Sequence, residues 1–441
     1  MRIRKANRVM ARKAGKLETI KTTLKELDIT ITDIEKNEAF ILEMKKAAHT
    51  VHDYRHPSYV KHLLEDILMI CLFAVLADCD EWEEMADFAR EKETWLKNYL
   101  ELPNGVPSSD TIRVVISGID TKHFYHLAVE IFIKLINEVQ EIICKEKEKP
   151  MILFMDGKES KGSKRSKLAT RSTKALHTLN VYSTDYGICV EQEFVEEKTN
   201  EIPAGVQVLG RMDLKDCVVT WDALNTQKET VETVIKKKGE YVAALKGNHP
   251  LFYKEVKEFF SEEELEKLKK SGSGYKKTVE KEHGGIAIRE YYQTEEIDWY
   301  EERKKWKKLR SFGMVKKRIQ LKNGEEREET RYYISSLGTD IELFARATRG
   351  HWGVENNLHW QLDVTFQDDR NTTAEKTGAK NLQVLKKIAL GVLQLVQTLY
   401  GQSLKRIRKT IARNCEKELE QILSAVSGDA IKVALYKKQT F

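Results

Sequence analysis

The spacing of apolar residues changes character along the chain. From Ala39 to about Lys149 they recur at helical intervals, as in Val60, Leu63, Leu64, Ile67 and Leu68, and strict alternation is scarce. That predicts an all-helical segment at 45–149. Ahead of it, residues 1–44 open on a basic run, Arg2, Arg4, Lys5, Arg8, Arg12 and Lys13, and read as a basic arm. A short helix and an unstructured tail both fit that arm. Within the helical segment, Pro103-Asn104-Gly105-Val106-Pro107-Ser108-Ser109-Asp110 supplies a turn and a helix cap, and the next helix presents Thr111, Arg113 and Val114. A helix presented this way suits a DNA groove, and it suits an ordinary helical hairpin as well.

At Met151 the pattern becomes that of strands. Short apolar runs at 151–155, 179–183 and 188–194, the last two separated by Asp185-Tyr186-Gly187, predict three antiparallel strands. A buried strand at 218–221, a helix at 227–238 ended by Gly239 and a strand at 241–245 follow, so the layout is α/β. Residues 251–330 break the rhythm with a charged helix near 262–270, the Ser271-Gly272-Ser273-Gly274 linker and polar strands at 287–293 and 314–321. They read as an insertion into an α/β domain spanning 150–400. A returning strand at 332–336, a helix at 341–362 despite Gly350 and Gly353, and an amphipathic helix at 379–399 complete that domain. Residues 401–441 read as a basic tail.

Composition narrows the picture only slightly. Charged residues make up 33% of 441, yet the net charge is +6, which permits a nucleic-acid partner without demanding one. The six cysteines, Cys71, Cys79, Cys144, Cys189, Cys217 and Cys415, form no Cys-x-x-Cys pair, so a reduced compartment without a zinc finger is expected. The most apolar stretch, 67–77, is about half a bilayer crossing, and no apolar signal core follows the basic start. A cytoplasmic protein with no membrane partner is the expectation.

Candidate chemistry collects at strand ends. Asp156 follows an apolar strand and precedes Gly157, where backbone can approach a ligand; taken alone it could equally be a turn aspartate. Asp222 repeats the device after Val218-Val219-Thr220-Trp221, and two such acids on neighbouring strands can share hard cations. Glu355 lies in a helical stretch where His351, Glu355 and His359 recur every four residues on one face. That spacing is not the His-Glu-x-x-His pattern of zinc hydrolases, and Trp352 and Trp360 read as packing residues. Between the first two acids stand Lys158, Lys161, Lys164, Arg165, Lys167, Arg171 and Lys174, a run suited to a phosphate backbone beside a carboxylate pair. Lys246-Gly247-Asn248 sets a cation and an amide at another strand end, as a phosphate or base contact or a simple turn.

Together these segments resemble the H-repeat-associated insertion-sequence transposases of the DDE superfamily. The resemblance rests on Asp156-Gly157-Lys158, on Asp222-Ala223 with Gln227-Lys228, and on Leu245-Lys246-Gly247-Asn248. It continues in Arg349-Gly350-His351-Trp352-Gly353-Val354-Glu355-Asn356, running on to Leu362-Asp363-Val364. In the helical segment, Leu64-Glu65-Asp66-Ile67-Leu68 and Pro103-Asn104-Gly105-Val106-Pro107 look like the domain associated with that group, so the likeness spans about 45–400. His249, His283-Gly284-Gly285 and Asp368 depart from the group's pattern.

The resemblance implies a ribonuclease-H-like catalytic core behind a helical DNA-binding domain. Asp156, Asp222 and Glu355 are implied to hold Mg²⁺, or Mn²⁺ in its place, as two ions. Water then cleaves at the element end, and the released 3′-hydroxyl attacks target DNA. Double-stranded DNA is the implied partner, with a homodimer or larger assembly pairing the ends and nucleoid association when DNA is bound. Lys158, Lys161, Lys164, Arg165, Lys246, Asn248, Arg349, His351 and Arg113 are the expected DNA contacts. A nuclease that cuts without joining, and a transposase-derived DNA-binding protein whose chemistry is unused, stand as alternatives.

Overall fold

The structure is a computed structural model that describes residues 38–126, 129, 150–163, 175–183, 185–195, 200–282, 285–321, 324–373 and 375–427. The arm at 1–37, most of the end of the helical segment, and Lys164, Arg165, Lys167, Arg171 and Lys174 of the basic loop lie outside those residues, as do His283 and Gly284.

The first described part is helical. Helix α1 (Glu38–Thr50) leads to α2 (Leu64–Leu76), whose sequence is apolar on every side and whose residues are all buried except Glu65. A helix apolar all round must lie inside other elements, and α3 (Trp82–Glu91) and α4 (Ser109–Gly118) wrap it. Its one buried carboxylate, Asp66, is satisfied by the backbone N–H groups of Leu102 at 2.9 Å and Glu101 at 3.3 Å. Helix α4 begins where expected: Ser108 is its N-cap and accepts from the Thr111 N–H.

Nine strands follow in one mixed sheet. In chain order they are β1 (Met151–Ser160), β2 (Leu176–Ser183), β3 (Ile188–Phe194), β4 (Cys217–Trp221), β5 (Glu240–Leu245), β6 (Tyr275–Glu282), β7 (Gly285–Thr294), β8 (Ser311–Leu321) and β9 (Glu326–Ser335). Their spatial order is β3-β2-β1-β4-β5-β9-β8-β7-β6. β1 pairs antiparallel with β2 and parallel with β4, β4 pairs parallel with β5, and the remaining neighbours are antiparallel. The central parallel strands are continuous apolar runs, as strands covered on both faces must be. β4 is buried at every position.

Residues 251–330 are therefore not a body hung on the core. β6 to β8 extend the core sheet through the β5–β9 pairing. The polar strand β6, Tyr-Lys-Lys-Thr-Val-Glu-Lys-Glu, escaped the sequence reading because it is an edge strand with no apolar alternation to reveal it.

The expected helix after β9 forms as α5 (Ile341–Val354), a π-helical turn (Glu355–His359) and a short helix α6 (Trp360–Val364). Gly350 is needed there, because a Cβ would stand 2.1 Å from the ring of Phe154, a fully buried side chain of β1. Burying that ring contributes about 2 kcal/mol, and the glycine lets α5 lie against the strand that carries Asp156.

Helix α7 (Lys376–Tyr400) is the spine between the two halves. Asn381 on it donates to the carbonyls of Ile116 and Ile119, while Gln383 reaches Ser160 and Lys387 reaches Asn180 and Gln192 in the sheet. Beyond it, the stretch from 401 is no tail as far as it is described: α8 (Leu404–Arg413) and α9 (Cys415–Ser427) fold back on the first helices. Leu404, Ile407 and Ile411 make one apolar stripe hidden among the basic residues. Arg408 in that stripe is 1% exposed, donating to Asp80 and to the carbonyls of Val75 and Thr365. No described helix is long and apolar enough to cross a membrane.

Candidate active site

β1 and β4 run side by side in parallel, with Met155 opposite Trp221 as their last paired residues. The next residue on each strand is an aspartate, so Asp156 and Asp222 leave adjacent strands at the same level. β1 itself does not end there. Its ladder with β2 continues through Asp156 opposite Asn180 to Ser160 opposite Leu176, which fixes Asp156 more rigidly than a loop position could.

Each carboxylate is held locally. Asp156 Oδ1 accepts from the Gly157 N–H at 3.0 Å, and Asp222 Oδ1 accepts from both the backbone N–H and the side-chain amide of Asn225 at 3.2 Å. Glu355 opens the π-helical turn and is exposed, while His359 at the end of that turn sets Nδ1 3.7 Å from Asp156 Oδ2. Extra-residue turns of this kind re-aim side chains within a helix.

Asp156 feels its neighbours strongly. Burial first, then the charge of Asp222, push its carboxyl up to about 7 against the opposing Gly157 N–H, and Glu201 and Glu355 add to the rise. Three acids far apart in sequence thus form one electrostatic site, and a fourth, Glu201, belongs to it. Glu201 was absent from the sequence reading. It starts the helix Glu201–Arg211 and reads there as an ordinary first-turn acid, although Asn200 capping that helix marked its place at a sheet edge. Its carboxyl sits below the usual range because His177 hydrogen-bonds it and Asn225 donates to it.

Oxygen donors carrying uncompensated negative charge fit a hard divalent cation. Among the described residues, no three acidic, imidazole or thiol side chains converge closely enough to enclose an ion. An open arrangement of this kind suits Mg²⁺, which keeps waters and is bound through one or two carboxylates plus substrate phosphates rather than by an all-protein cage.

The expected DNA contacts divide. Lys246 and Asn248 are exposed just beyond β5, with the Asn248 amide donating to the Ala223 carbonyl at 2.6 Å, beside Asp222. Arg349 is 41% exposed and paired with Glu280 of β6. Lys161 is exposed, its N–H anchored by Asp369. Arg113 pairs with Asp110 and lines a cleft of 510 Å³ shared with Arg370, Asn371 and Lys386, apart from the carboxylates. The side chain of His351 lies outside the described residues, as do Lys164 and Arg165.

Lys158 is drawn inward instead. Its side chain is 4% exposed and its ammonium meets Asp363 at 2.5 Å, with Asp369 4.0 Å away. Asp363 belongs to α6, directly after the π-helical turn, so this pair ties the helix bearing Glu355 to the strand bearing Asp156. Asp368, 1% exposed, accepts from Ser160 at 2.7 Å and reinforces the same joint. Trp360, expected to pack, is 50% exposed, because α6 rides on the outside of this joint.

Known proteins line up with this architecture. Residues 147–391 match the family described as "Transposase DDE domain", and residues 46–130 match "DDE_Tnp_1-associated". "Putative transposase YncI" of Escherichia coli O157:H7 is 33% identical over 381 residues, 86% of this chain and 93% of its own length. "H repeat-associated putative transposase YhhI" of Escherichia coli K12 is 32% identical over 80% of this chain and 91% of its own. "Inactive transposase YbfQ" of the same strain is 37% identical over 79 residues, 17% of this chain. A piggyBac transposase from a synaptic complex with hairpin DNA aligns with 94% of this chain and 81% of its own at 14% identity, but a TM-score of 0.33 is too low to bear on the fold.

Proposed function

The chain belongs to the DDE-domain transposases of the H repeat-associated group, and from that membership we propose that it cuts DNA at the ends of an insertion sequence and joins them to target DNA. The observation that carries the chemistry is the gathering of Asp222 and Glu355 around the half-buried Asp156, from a neighbouring strand and from the helix that crosses it. The five-strand order β3-β2-β1-β4-β5, antiparallel for the first three and parallel from β1 to β5, supports a ribonuclease-H-like core with the acids at its centre.

In this reading Asp156, Asp222 and Glu355 hold two divalent ions, Mg²⁺ or Mn²⁺. When bound, these polarise the phosphate and stabilise the attacking and leaving oxygens of an in-line displacement. The protein's own share is placement. The β1–β2 ladder fixes Asp156, Asn225 fixes Asp222, and the Lys158–Asp363 pair fixes the helix of Glu355. Lys246, Asn248, Arg349 and Lys161 grip the phosphates of double-stranded DNA around the site, and the helices at 45–149 bind the element end. Pairing two ends requires a dimer or larger assembly, associated with the nucleoid while DNA is bound.

The test is incubation of the purified protein with Mg²⁺ or Mn²⁺ on labelled DNA carrying its flanking terminal repeats plus a target plasmid, alongside Asp222→Ala. Metal-dependent end cleavage with joined products, both lost in the variant, is the expected result. Cutting without joining means a nuclease, and binding without cutting means a DNA-binding protein whose chemistry is unused.

A further inference from the structure

Glu201 occupies a place that a merely structural acid does not need. It is pressed against the backbone of β1 immediately after Asp156. A Cβ on Gly157 would stand 2.2 Å from Glu201 Oε1 and 2.9 Å from His177 Nε2. Glycine at 157 is therefore what admits the Glu201–His177 pair to the strand, an assignment different from the ligand approach expected of it.

The pair is built from three elements. His177 of β2 holds Oε1 at 2.8 Å, and the side-chain amide nitrogen of Asn225 holds Oε2 at 3.0 Å. The same nitrogen lies 3.2 Å from Asp222 Oδ1, so one wholly buried amide spans Glu201 and Asp222. The Glu201 side chain keeps 14% of its surface open. It thus closes a ring in which Asp156, Asp222 and Glu201 are bound to one another through Gly157 and Asn225.

We propose that Glu201 is a fourth carboxylate of the cation site, strengthening cation binding at Asp156 and Asp222 without replacing either, with His177 and Asn225 as its positioning residues. The inference rests on the cation-binding reading of the three acids given above. Its physical content is charge: an additional anion in a partly desolvated site deepens the potential that a divalent ion meets, and outer partners of ligating carboxylates tune affinity by about 10- to 100-fold.

A packing role is separable from a charge role. Glu201→Gln keeps the length and the hydrogen bonds but removes the charge, whereas Glu201→Asp keeps the charge. Mn²⁺ binding to the full chain, followed by the electron paramagnetic resonance signal of free Mn²⁺, is measured for the unmodified protein, both Glu201 variants and Asp156→Asn, with folding checked by circular dichroism. Glu201→Gln is expected to weaken Mn²⁺ binding at least about tenfold, to raise the Mn²⁺ concentration needed for DNA cleavage, and to be partly rescued in Glu201→Asp.

Equal weakening by Gln and Asp overturns the proposal in favour of packing. Binding by Glu201→Gln as tight as in the unmodified protein, with Asp156→Asn weakened, overturns it while leaving the three-acid site standing. If Asp156→Asn also binds as tightly, or the unmodified protein binds no Mn²⁺, both readings fall.

Discussion

Removing the charge of Asp156 should make the metal-free protein more stable. Asp156→Asn preserves the shape and leaves an oxygen to accept the Gly157 N–H, but it abolishes a carboxylate whose ionisation the fold opposes. Burial and the charges of Asp222, Glu201 and Glu355 raise its folded value to about 7. Displacement from about 3.9 in the unfolded chain corresponds to about 4 kcal/mol. The side chain is still 22% exposed, and solvent screening reduces the expected gain to roughly 2 kcal/mol.

The pH dependence carries a definite sign. Between about pH 4 and pH 7 the folded carboxyl keeps a proton that the unfolded chain has released, so the unmodified protein loses stability as pH rises through that window. Above it the loss is complete and level; below it both states are protonated and nothing is lost. The advantage of Asp156→Asn should be absent near pH 4, grow to about pH 7 and then plateau, as seen in paired urea unfolding curves in chelator. No advantage at pH 8, or an advantage of equal size at pH 4, refutes the reasoning.

Other perturbations test the scaffold. Lys158→Met strands Asp363 inside the joint between β1 and α6 and should cost about 3 kcal/mol; adding Asp363→Leu should recover most of that loss in urea unfolding, while DNA cleavage stays depressed because Glu355 is no longer tethered. Arg408→Met leaves Asp80, whose carboxyl burial already pushes up, without its partner. It should destabilise by roughly 3–5 kcal/mol and expose α8 and α9 to limited proteolysis before the sheet unfolds. Gly157→Ala drives a methyl group into Glu201 and His177, with an expected cost of about 1–3 kcal/mol in thermal unfolding and loss of cleavage even at saturating Mn²⁺.

Local pattern determined much of this protein. Apolar runs ending in Asp156 and Asp222 defined β1 and β4 because a parallel strand covered on both faces must be continuously apolar. The helical spacing around Glu355 and the Ser108 cap of α4 were equally legible, since periodicity and capping act over a few residues. Three things depended on contacts between distant segments. The charged strand β6 pairs only because β7 offers it an edge, and Arg408 turns a basic stretch into core because Asp80, some 330 residues earlier, neutralises it. Lys158 and Glu201 exchanged expected roles for the same reason. The fate of a charged side chain is set by what lies opposite it after folding, and Asp363 claims the lysine while Asn225 and His177 bring the glutamate to Asp156.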